Sequence, residues 1–227
     1  MQLFLQTCTP NIQLSKNYFS ALDFELKDME GYTIAYDQQM HIMIDHNRGG
    51  RKGLTLIKEN WDKEIAKITP HLRVIQKENV YYFISPSGTR FALRAEAKID
   101  IPVTQSKCML GNYAGVSIET LDIESSMAVM QALGFEHNSG SMEQGWVGYT
   151  DQDQNVISLM APFACPHLFM NPSGTFFNSG TNPKIIAEVR KKQIPIFEEI
   201  TVFNSKSEVD NIIMQEPGGL GFFVFND

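Results

Sequence analysis

The stretch MHIMIDHN contains side chains that could bind a metal ion. Side chains alternate between the two faces of a β-strand, so His41, Met43 and Asp45 are predicted to share one face. A His and an Asp supply two ligands of a transition-metal site, and Gln6 or Glu119 could add a third. In the alternative interpretation, His41 and Asp45 are solvent-facing or hydrogen-bonded structural residues.

A second candidate is Arg90, which stands among apolar residues in the stretch TRFAL. A guanidinium group on an inward strand face could hold a ligand carboxylate or phosphate through two parallel hydrogen bonds. In the alternative interpretation, Arg90 pairs with an acidic side chain at the edge of its strand. Alternation also predicts that Gln6, Ser117 and Glu119 point inward on their own strands.

Other kinds of chemistry find no support in the sequence. Cys8, Cys108 and Cys165 are odd in number and widely spaced, which argues against a disulfide framework and against a cysteine zinc site. The GGLG stretch near the C-terminus precedes a strand rather than a helix, so it does not predict a phosphate-binding loop. No serine stands in a nucleophile elbow.

The composition is that of a soluble globular protein with an acidic balance. Of 227 residues, 43% are hydrophobic and 20% are charged, and the formal net charge is -7. No apolar run approaches the roughly 18 residues of a membrane span, and the N-terminal stretch MQLFLQTCTP lacks the basic segment of a signal peptide. We therefore predict a cytoplasmic protein that binds neither membranes nor nucleic acid. The nearest approach to a basic block, RGGRK at 48–52, is predicted to be a loop.

The elements that must position these residues recur four times along the chain. Each repeat is predicted to contain a strand, a helix and three further strands, over about 55 to 60 residues. Its last hairpin has a turn rich in Gly, Pro or polar residues, as in ISPSGTRFAL and QEPGGLGFFV. Such turns need residues that accept positive backbone φ angles.

Capping residues and apolar spacing predict where the helices begin and which faces they bury. The helix of the third repeat is predicted to begin after an N-cap at Asp122, and that of the fourth after an N-cap at Asn182. In the first repeat, Leu14, Tyr18 and Leu22 are spaced to share one face of the helix.

One repeat alone is a curved sheet with a helix on one face, and its other face needs a second repeat to enclose it. The four repeats are predicted to form an α+β protein of two paired domains, residues 1–103 and 108–227, whose curved mixed sheets form cups. The stretch AEAKIDIPVTQSKCMLGN is the predicted linker. The Pro-rich CPH, at 165–167, is predicted to belong to a connecting loop or to a rim over a cup. Whether the first repeat pairs with the second or with the fourth stays open.

This pattern resembles the vicinal oxygen chelate superfamily, which includes the glyoxalase I, bleomycin-resistance, methylmalonyl-CoA epimerase and extradiol dioxygenase families. The opening half of that superfamily's repeat is most similar to GVSIETLDIESSMAVMQALGFE, and the closing half to SPSGTRFAL, DQDQNVISL and EPGGLGFFV. The resemblance implies four βαβββ repeats. It also implies a cup that in the superfamily's enzymes holds one divalent metal, bound by side chains of the first and last strands of paired repeats.

The positions that the resemblance assigns to the metal ligands carry no good ligand here. The first-strand positions fall on Phe4, Gly115 and Thr175. The last-strand positions fall on Met43, Ala92, Ser158 and Phe223. An aromatic ring thus replaces the metal carboxylate in GGLGFFV. We therefore predict that the protein has neither a metal nor another cofactor.

The preferred hypothesis is a glyoxalase- and bleomycin-resistance-like protein that binds a small organic molecule in an apolar cup. The side chains predicted to bind it share the inward strand faces: Phe4, Gln6, Met43, Arg90, Ser117, Glu119, Ser158 and Phe223. One alternative is a metal-dependent lyase, isomerase or dioxygenase with displaced ligands such as His41 and Glu119. Another is an interaction scaffold whose cups are filled by side chains. No catalytic residue is assigned, and the resemblance favours a homodimer.

Overall fold

The computed structural model describes residues 1–47, 49–165 and 167–227, and within them the chain forms sixteen strands, four α-helices and one short 3-10 helix. Arg48, in the predicted loop RGGRK, and Pro166, in the stretch CPH, lie outside the described residues. Of the helices in the described ranges, none combines the length and the apolar character that a membrane span requires.

The first two repeats form the first sheet. The first repeat consists of β1 (Gln2–Cys8), α1 (Ile12–Ala21), β2 (Glu25–Met29), β3 (Tyr32–Tyr36) and β4 (His41–Asp45). The second consists of β5 (Gly53–Lys58), α2 (Asp62–Ile68), β6 (Ile75–Lys77), β7 (Val80–Ile84) and β8 (Arg90–Ala95). Hydrogen bonds join these strands in the order β2-β3-β4-β1-β5-β8-β7-β6.

The last two repeats form the second sheet. The third repeat consists of β9 (Tyr113–Glu119), α3 (Ile123–Ala132), β10 (Glu136–Ser141), β11 (Trp146–Thr150) and β12 (Val156–Met160). The fourth consists of β13 (Ser173–Phe177), α4 (Asn182–Lys191), β14 (Glu198–Ile200), β15 (Asn211–Gln215) and β16 (Gly221–Phe225). The strand order is β10-β11-β12-β9-β13-β16-β15-β14, and neither sheet closes on itself. The predicted α+β architecture of βαβββ repeats in two mixed sheets is confirmed.

Within a repeat, the first and last strands are neighbours in the sheet. They run parallel in the second, third and fourth repeats, as β5 with β8, β9 with β12 and β13 with β16. The other strands of each repeat join in antiparallel hairpins. Side chains from the first and last strands therefore stand side by side on the same face of the sheet.

The two compact units of the chain do not coincide with the two sheets. Unit 1 contains residues 1–5, 52–101 and 115–172, and unit 2 contains residues 6–51, 102–114 and 173–227. The hydrogen-bonded sheets join the first repeat with the second and the third with the fourth. The compact units group the second repeat with the third and the first with the fourth. The domain boundaries at 103 and 108 stay a prediction.

The core of unit 2 contains Phe19 of α1, which is fully buried. Its ring meets that of Phe24 at 5.6 Å and that of Phe222, on β16, at 6.2 Å between centroids, both edge-on. Aromatic pairs in this geometry stabilise a core by more than their buried area alone. This contact holds the helix of the first repeat against the sheet of the fourth.

Two of the three residues predicted to share one face of α1, Tyr18 and Leu22, are buried, but the third is not. Leu14 is 53% exposed, whereas Ser15 is fully buried together with Phe19. The prediction that Leu14 shares the buried face was wrong, because the neighbouring polar residue Ser15 points into the interior in its place. The Ser15 hydroxyl lies 2.8 Å from Thr9 Oγ1 and 3.1 Å from Glu216 Oε2, so it is hydrogen-bonded in the interior.

The turn before the last strand begins in every repeat with a buried polar residue that directly follows the third strand. These residues are Asp37, Ser85, Asp151 and Glu216. The backbone N–H of each donates to a carbonyl three or four residues further along, which closes the turn. The predicted recurrence of this turn is confirmed, and its physical reason includes a buried polar anchor as well as glycine.

Glu216 ties the last turn of the chain to the first repeat. Its carboxylate accepts hydrogen bonds from the hydroxyl groups of Thr7, on β1, and Ser15, on α1. Gly218 follows in the same turn, where a Cβ would lie 1.9 Å from the carbonyl oxygen of Cys8. Only glycine allows the turn to approach β1 this closely.

The helix starts agree with the predictions to within one residue. Asp122 caps α3 by accepting a hydrogen bond from the backbone N–H of Ser125 at 2.9 Å, as predicted. Asn182 is the first residue of α4 rather than its N-cap, which is Thr181. The buried Asn182 amide donates instead to the carbonyls of Asp210 and Val224, each at 2.8 Å.

We expect Phe19→Ala to lower the free energy of unfolding by about 3–5 kcal/mol, because it opens a cavity between α1 and β16. Urea unfolding followed by circular dichroism measures this change. The matched control is Leu14→Ala on the same helix, which should stay within about 0.5 kcal/mol of wild type because Leu14 is exposed. Equal losses for the two variants would show that α1 does not pack through Phe19.

Candidate functional site

Each sheet has a face that packs against helices and an opposite face, which we call the inner face. The second and fourth residues of every last strand are fully buried, namely Ile42, Ile44, Phe91, Leu93, Ile157, Leu159, Phe222 and Val224. Phe222 contacts Phe19 of α1, so these positions point toward the helices. The first, third and fifth residues of the last strands therefore belong to the inner face.

The inner face of the first repeat brings Gln6 and Asp45 together. Gln6 Nε2 donates to Asp45 Oδ2 at 3.2 Å, and Asp45 Oδ1 accepts from the backbone N–H of Asn47 at 2.8 Å. Met43, at the predicted metal position, lies two residues before Asp45 on β4 and is buried. Phe4, further along β1, is fully buried. The carboxylate of Asp45 is thus already engaged by two hydrogen bonds.

His41 stands at the start of β4, opposite Tyr36 of β3. Burial lowers the pKa of His41 below its ordinary value, while the charge of Asp37 acts weakly in the opposite direction. The imidazole is therefore neutral at neutral pH, the form in which histidine binds metals. In residues 1–47, 49–165 and 167–227, no three His, Cys, Asp or Glu side chains lie close enough to hold a metal ion together.

The inner face of the second repeat carries Arg90, Ala92 and Arg94 on β8. The Arg90 guanidinium carbon lies 4.8 Å from the ring centroid of Tyr82, over the ring. Ala92 is buried opposite Tyr82. Arg94 Nε pairs with Glu96 Oε1 at 2.9 Å. Among the ion pairs of the described residues, the one on this face belongs to Arg94 and not to Arg90, for which the alternative interpretation expected an acidic partner.

The inner face of the third repeat is polar. Ser117 of β9 and Ser158 of β12 are direct neighbours in the parallel pair, and Glu119 stands next to Met160 in the same register. Ser117 is buried, whereas Ser158 and Glu119 are half-buried. The structure thus brings three of the predicted site residues together.

Glu119 also contacts the segment that follows β12. Its Oε2 accepts from the backbone N–H of Phe163 at 3.4 Å, and its carbonyl accepts from Asn171 Nδ2 at 2.9 Å. Burial raises the pKa of the Cys165 thiol to about 11, and the negative charge of Glu119 contributes a smaller increase. That cysteine is therefore protonated and a poor nucleophile at neutral pH.

The inner face of the fourth repeat carries four phenyl rings in contact, which we call the phenyl ladder: Phe177, Phe203, Phe223 and Phe225. Phe223 and Phe225 on β16 have centroids 6.1 Å apart. Phe225 stacks on Phe177 of β13 at 5.4 Å with 22° between the rings, and Phe203 meets Phe225 edge-on at 6.3 Å. The exposed fraction rises from 1% at Phe223 to 44% at Phe177 and 46% at Phe203.

Strand alternation places three of these rings on the inner face, but it does not predict Phe203. Phe203 lies in the irregular segment between β14 and β15, where no periodic pattern indicates the direction of a side chain. A groove of about 560 Å³ in unit 1 lies on the helix side and contains none of the predicted site residues. It is lined by residues of α2, α3 and nearby turns, among them Ile68, His71, Asp122 and Val129.

No model of a known protein family matches the sequence, and no curated protein matches it. Solved structures do match. A catechol 2,3-dioxygenase aligns over 97% of this chain and 85% of its own, with a TM-score of 0.60 and 11% identity. The 2,3-dioxygenase LapB from Pseudomonas sp. KL28 aligns over 99% and 91%, with a TM-score of 0.61 and 13% identity. The Mn(II)-bound glyoxalase from Novosphingobium aromaticivorans aligns over 97% and 79%, with a TM-score of 0.60 and 12% identity. The chain therefore shares its fold, over nearly its whole length, with these dioxygenase and glyoxalase structures, which is the fold that the resemblance implied.

Proposed function

We propose that the protein binds a small organic molecule with a planar ring on the phenyl ladder, and that it does so without a resident metal. The observation that carries this proposal is the stacked pair of Phe177 and Phe225, 5.4 Å apart, whose outer member is 44% exposed. A second ring can stack on the exposed ring of Phe177 in the same offset geometry.

The physical basis is the surface that the ladder leaves in water. Stacked or edge-on aromatic pairs contribute about 0.5–1.5 kcal/mol beyond the burial of their area. The buried Phe223 and the half-buried Phe225 give Phe177 a packed support, so little ordering remains to be done when a ligand binds. Ligand sites typically combine such apolar walls with few polar groups.

The four last-strand positions support binding without catalysis by a bound metal. They carry Met43, Ala92, Ser158 and Phe223, none of which offers a carboxylate. The proposed activity is then that of a bleomycin-resistance-like protein, which sequesters a ligand without transforming it. We infer a homodimer from the same resemblance, and a cytoplasmic location from the composition of the chain.

The solved neighbours bear on the choice of ligand. One is named a catechol 2,3-dioxygenase, and catechol has a planar ring of the shape that the ladder fits. Another is a glyoxalase with bound Mn(II), an ion that has no counterpart in this proposal.

We expect 2-naphthol to bind the wild-type protein, and Phe177→Ala to raise its Kd about tenfold because one stacking partner is lost. Isothermal titration calorimetry measures both affinities. Phe197→Ala is the matched control: Phe197 is also in unit 2 and is 48% exposed, but it lies outside the ladder. Its Kd should stay within about twofold of wild type.

Decahydro-2-naphthol separates ring stacking from general apolar burial, because it has a similar carbon frame and no aromatic face. The proposal requires weaker binding of this saturated compound. An unchanged Kd for 2-naphthol in Phe177→Ala would contradict it.

Elemental analysis of the purified, unchelated protein should find fewer than about one transition-metal ion per ten chains. One ion per chain would instead support the metal-dependent enzyme with displaced ligands. In that case His41→Ala, which removes a neutral imidazole from the inner face, should abolish metal binding. Retention of the ion by His41→Ala would place its ligands elsewhere.

A further inference from the structure

The guanidinium group of Arg90 lies over an aromatic ring. Its guanidinium carbon lies 4.8 Å from the centroid of the Tyr82 ring, within the range of a cation–π interaction. Arg90 stands on β8 and Tyr82 on β7, and the two strands are antiparallel neighbours in unit 1. A guanidinium group over the face of a ring still has N–H groups at its edge that can donate hydrogen bonds.

In the described residues, the Arg90 guanidinium forms no ion pair with an acidic side chain. Throughout the part of the chain that the structure describes, none of the ion pairs includes Arg90. Arg94 has the opposite arrangement, because its Nε pairs with Glu96 at 2.9 Å. Acidic residues outnumber basic ones in the chain, 26 to 19, so an unpaired, half-buried arginine is not explained by a shortage of carboxylates.

The strand positions on either side of Arg90 carry no charged side chain. The neighbour of Arg90 on β5 is Gly53, where a Cβ would lie 2.2 Å from the Arg90 carbonyl oxygen and 3.1 Å from its Cβ. The close strand approach thus excludes any side chain on that flank. On the other flank, Ile84 of β7 is 55% exposed and offers an apolar surface.

We propose that Arg90, supported by Tyr82, is a binding site for an organic anion, either a carboxylate or a phosphate monoester. The two parallel N–H groups of the fork match the two oxygens of such an anion. Ile84 contacts the apolar part of the ligand. The missing counter-charge is then supplied by the ligand, which offsets the cost of a half-buried cation. This site lies on the first sheet and shares no residue with the phenyl ladder, so it does not depend on the function proposed above.

The test follows the Arg90 Nε–H resonance by ¹H–¹⁵N NMR while benzoate, phenyl phosphate or benzyl alcohol is titrated in about 0.15 M salt, which screens weak surface contacts. The resonance is assigned by its loss in Arg90→Gln. We expect benzoate or phenyl phosphate to shift it saturably, and benzyl alcohol, which has a ring but no charge, to leave it in place. The stronger of the two anions identifies a carboxylate or a phosphate as the preferred group.

Variants complete the test. Arg90→Gln should weaken anion binding at least about tenfold, whereas Arg190→Gln, which removes an exposed arginine paired with Glu199, should leave it unchanged. Tyr82→Leu should weaken anion binding and Tyr82→Phe should not, because only the ring supports the guanidinium. If Arg90→Gln fails to fold, this pair of Tyr82 variants tests the proposal. Equal affinities in wild type and Arg90→Gln, or no shift of the Arg90 resonance, would overturn the proposal.

Discussion

The side-by-side register between the first and last strands of each repeat is the constraint on which the rest of the structure depends. Because paired residues of these two strands point to the same face of the sheet, each pair of side chains either packs against the helices or lies on the inner face. The buried pairs on the helix side, such as Phe222 against Phe19, fix that choice with apolar area and aromatic contacts. A slip of one residue would bury the charge of Arg90 against α2 and expose Phe91.

Since the helix side determines the register, the inner faces are free to differ, and the four repeats have diverged there. The first carries an amide–carboxylate pair, Gln6 with Asp45. The second carries a guanidinium on a phenol ring, the third a pair of serines, and the fourth a stack of phenyl rings. One fold thus presents four chemistries, each supported by the same buried scaffold.

The sequence predicted the repeats, the sheet class and several element boundaries, because these follow from local chemistry. Asp122 caps α3 through its own side chain, and a turn rich in Gly, Pro or polar residues precedes the last strand of each repeat. Leu14 shows the limit: helical spacing placed it inside, but the Ser15 hydroxyl finds its partner 201 residues away, and no local pattern reports such a contact. Phe203 shows another, because its place in the phenyl ladder depends on an irregular segment. Strand alternation assigned Arg90 to the inner face, but spacing alone could not predict that its guanidinium lies over the ring of Tyr82.

The hydrogen bonds of Glu216 have a consequence for how the protein is made. Thr7 and Ser15 leave the ribosome early, and the carboxylate that binds their hydroxyl groups follows about two hundred residues later. Until then the first strand and helix of the nascent chain lack both this carboxylate and the β16 surface against which Phe19 packs. The final packing of the first repeat must therefore await the fourth, and contacts of such long sequence separation slow folding.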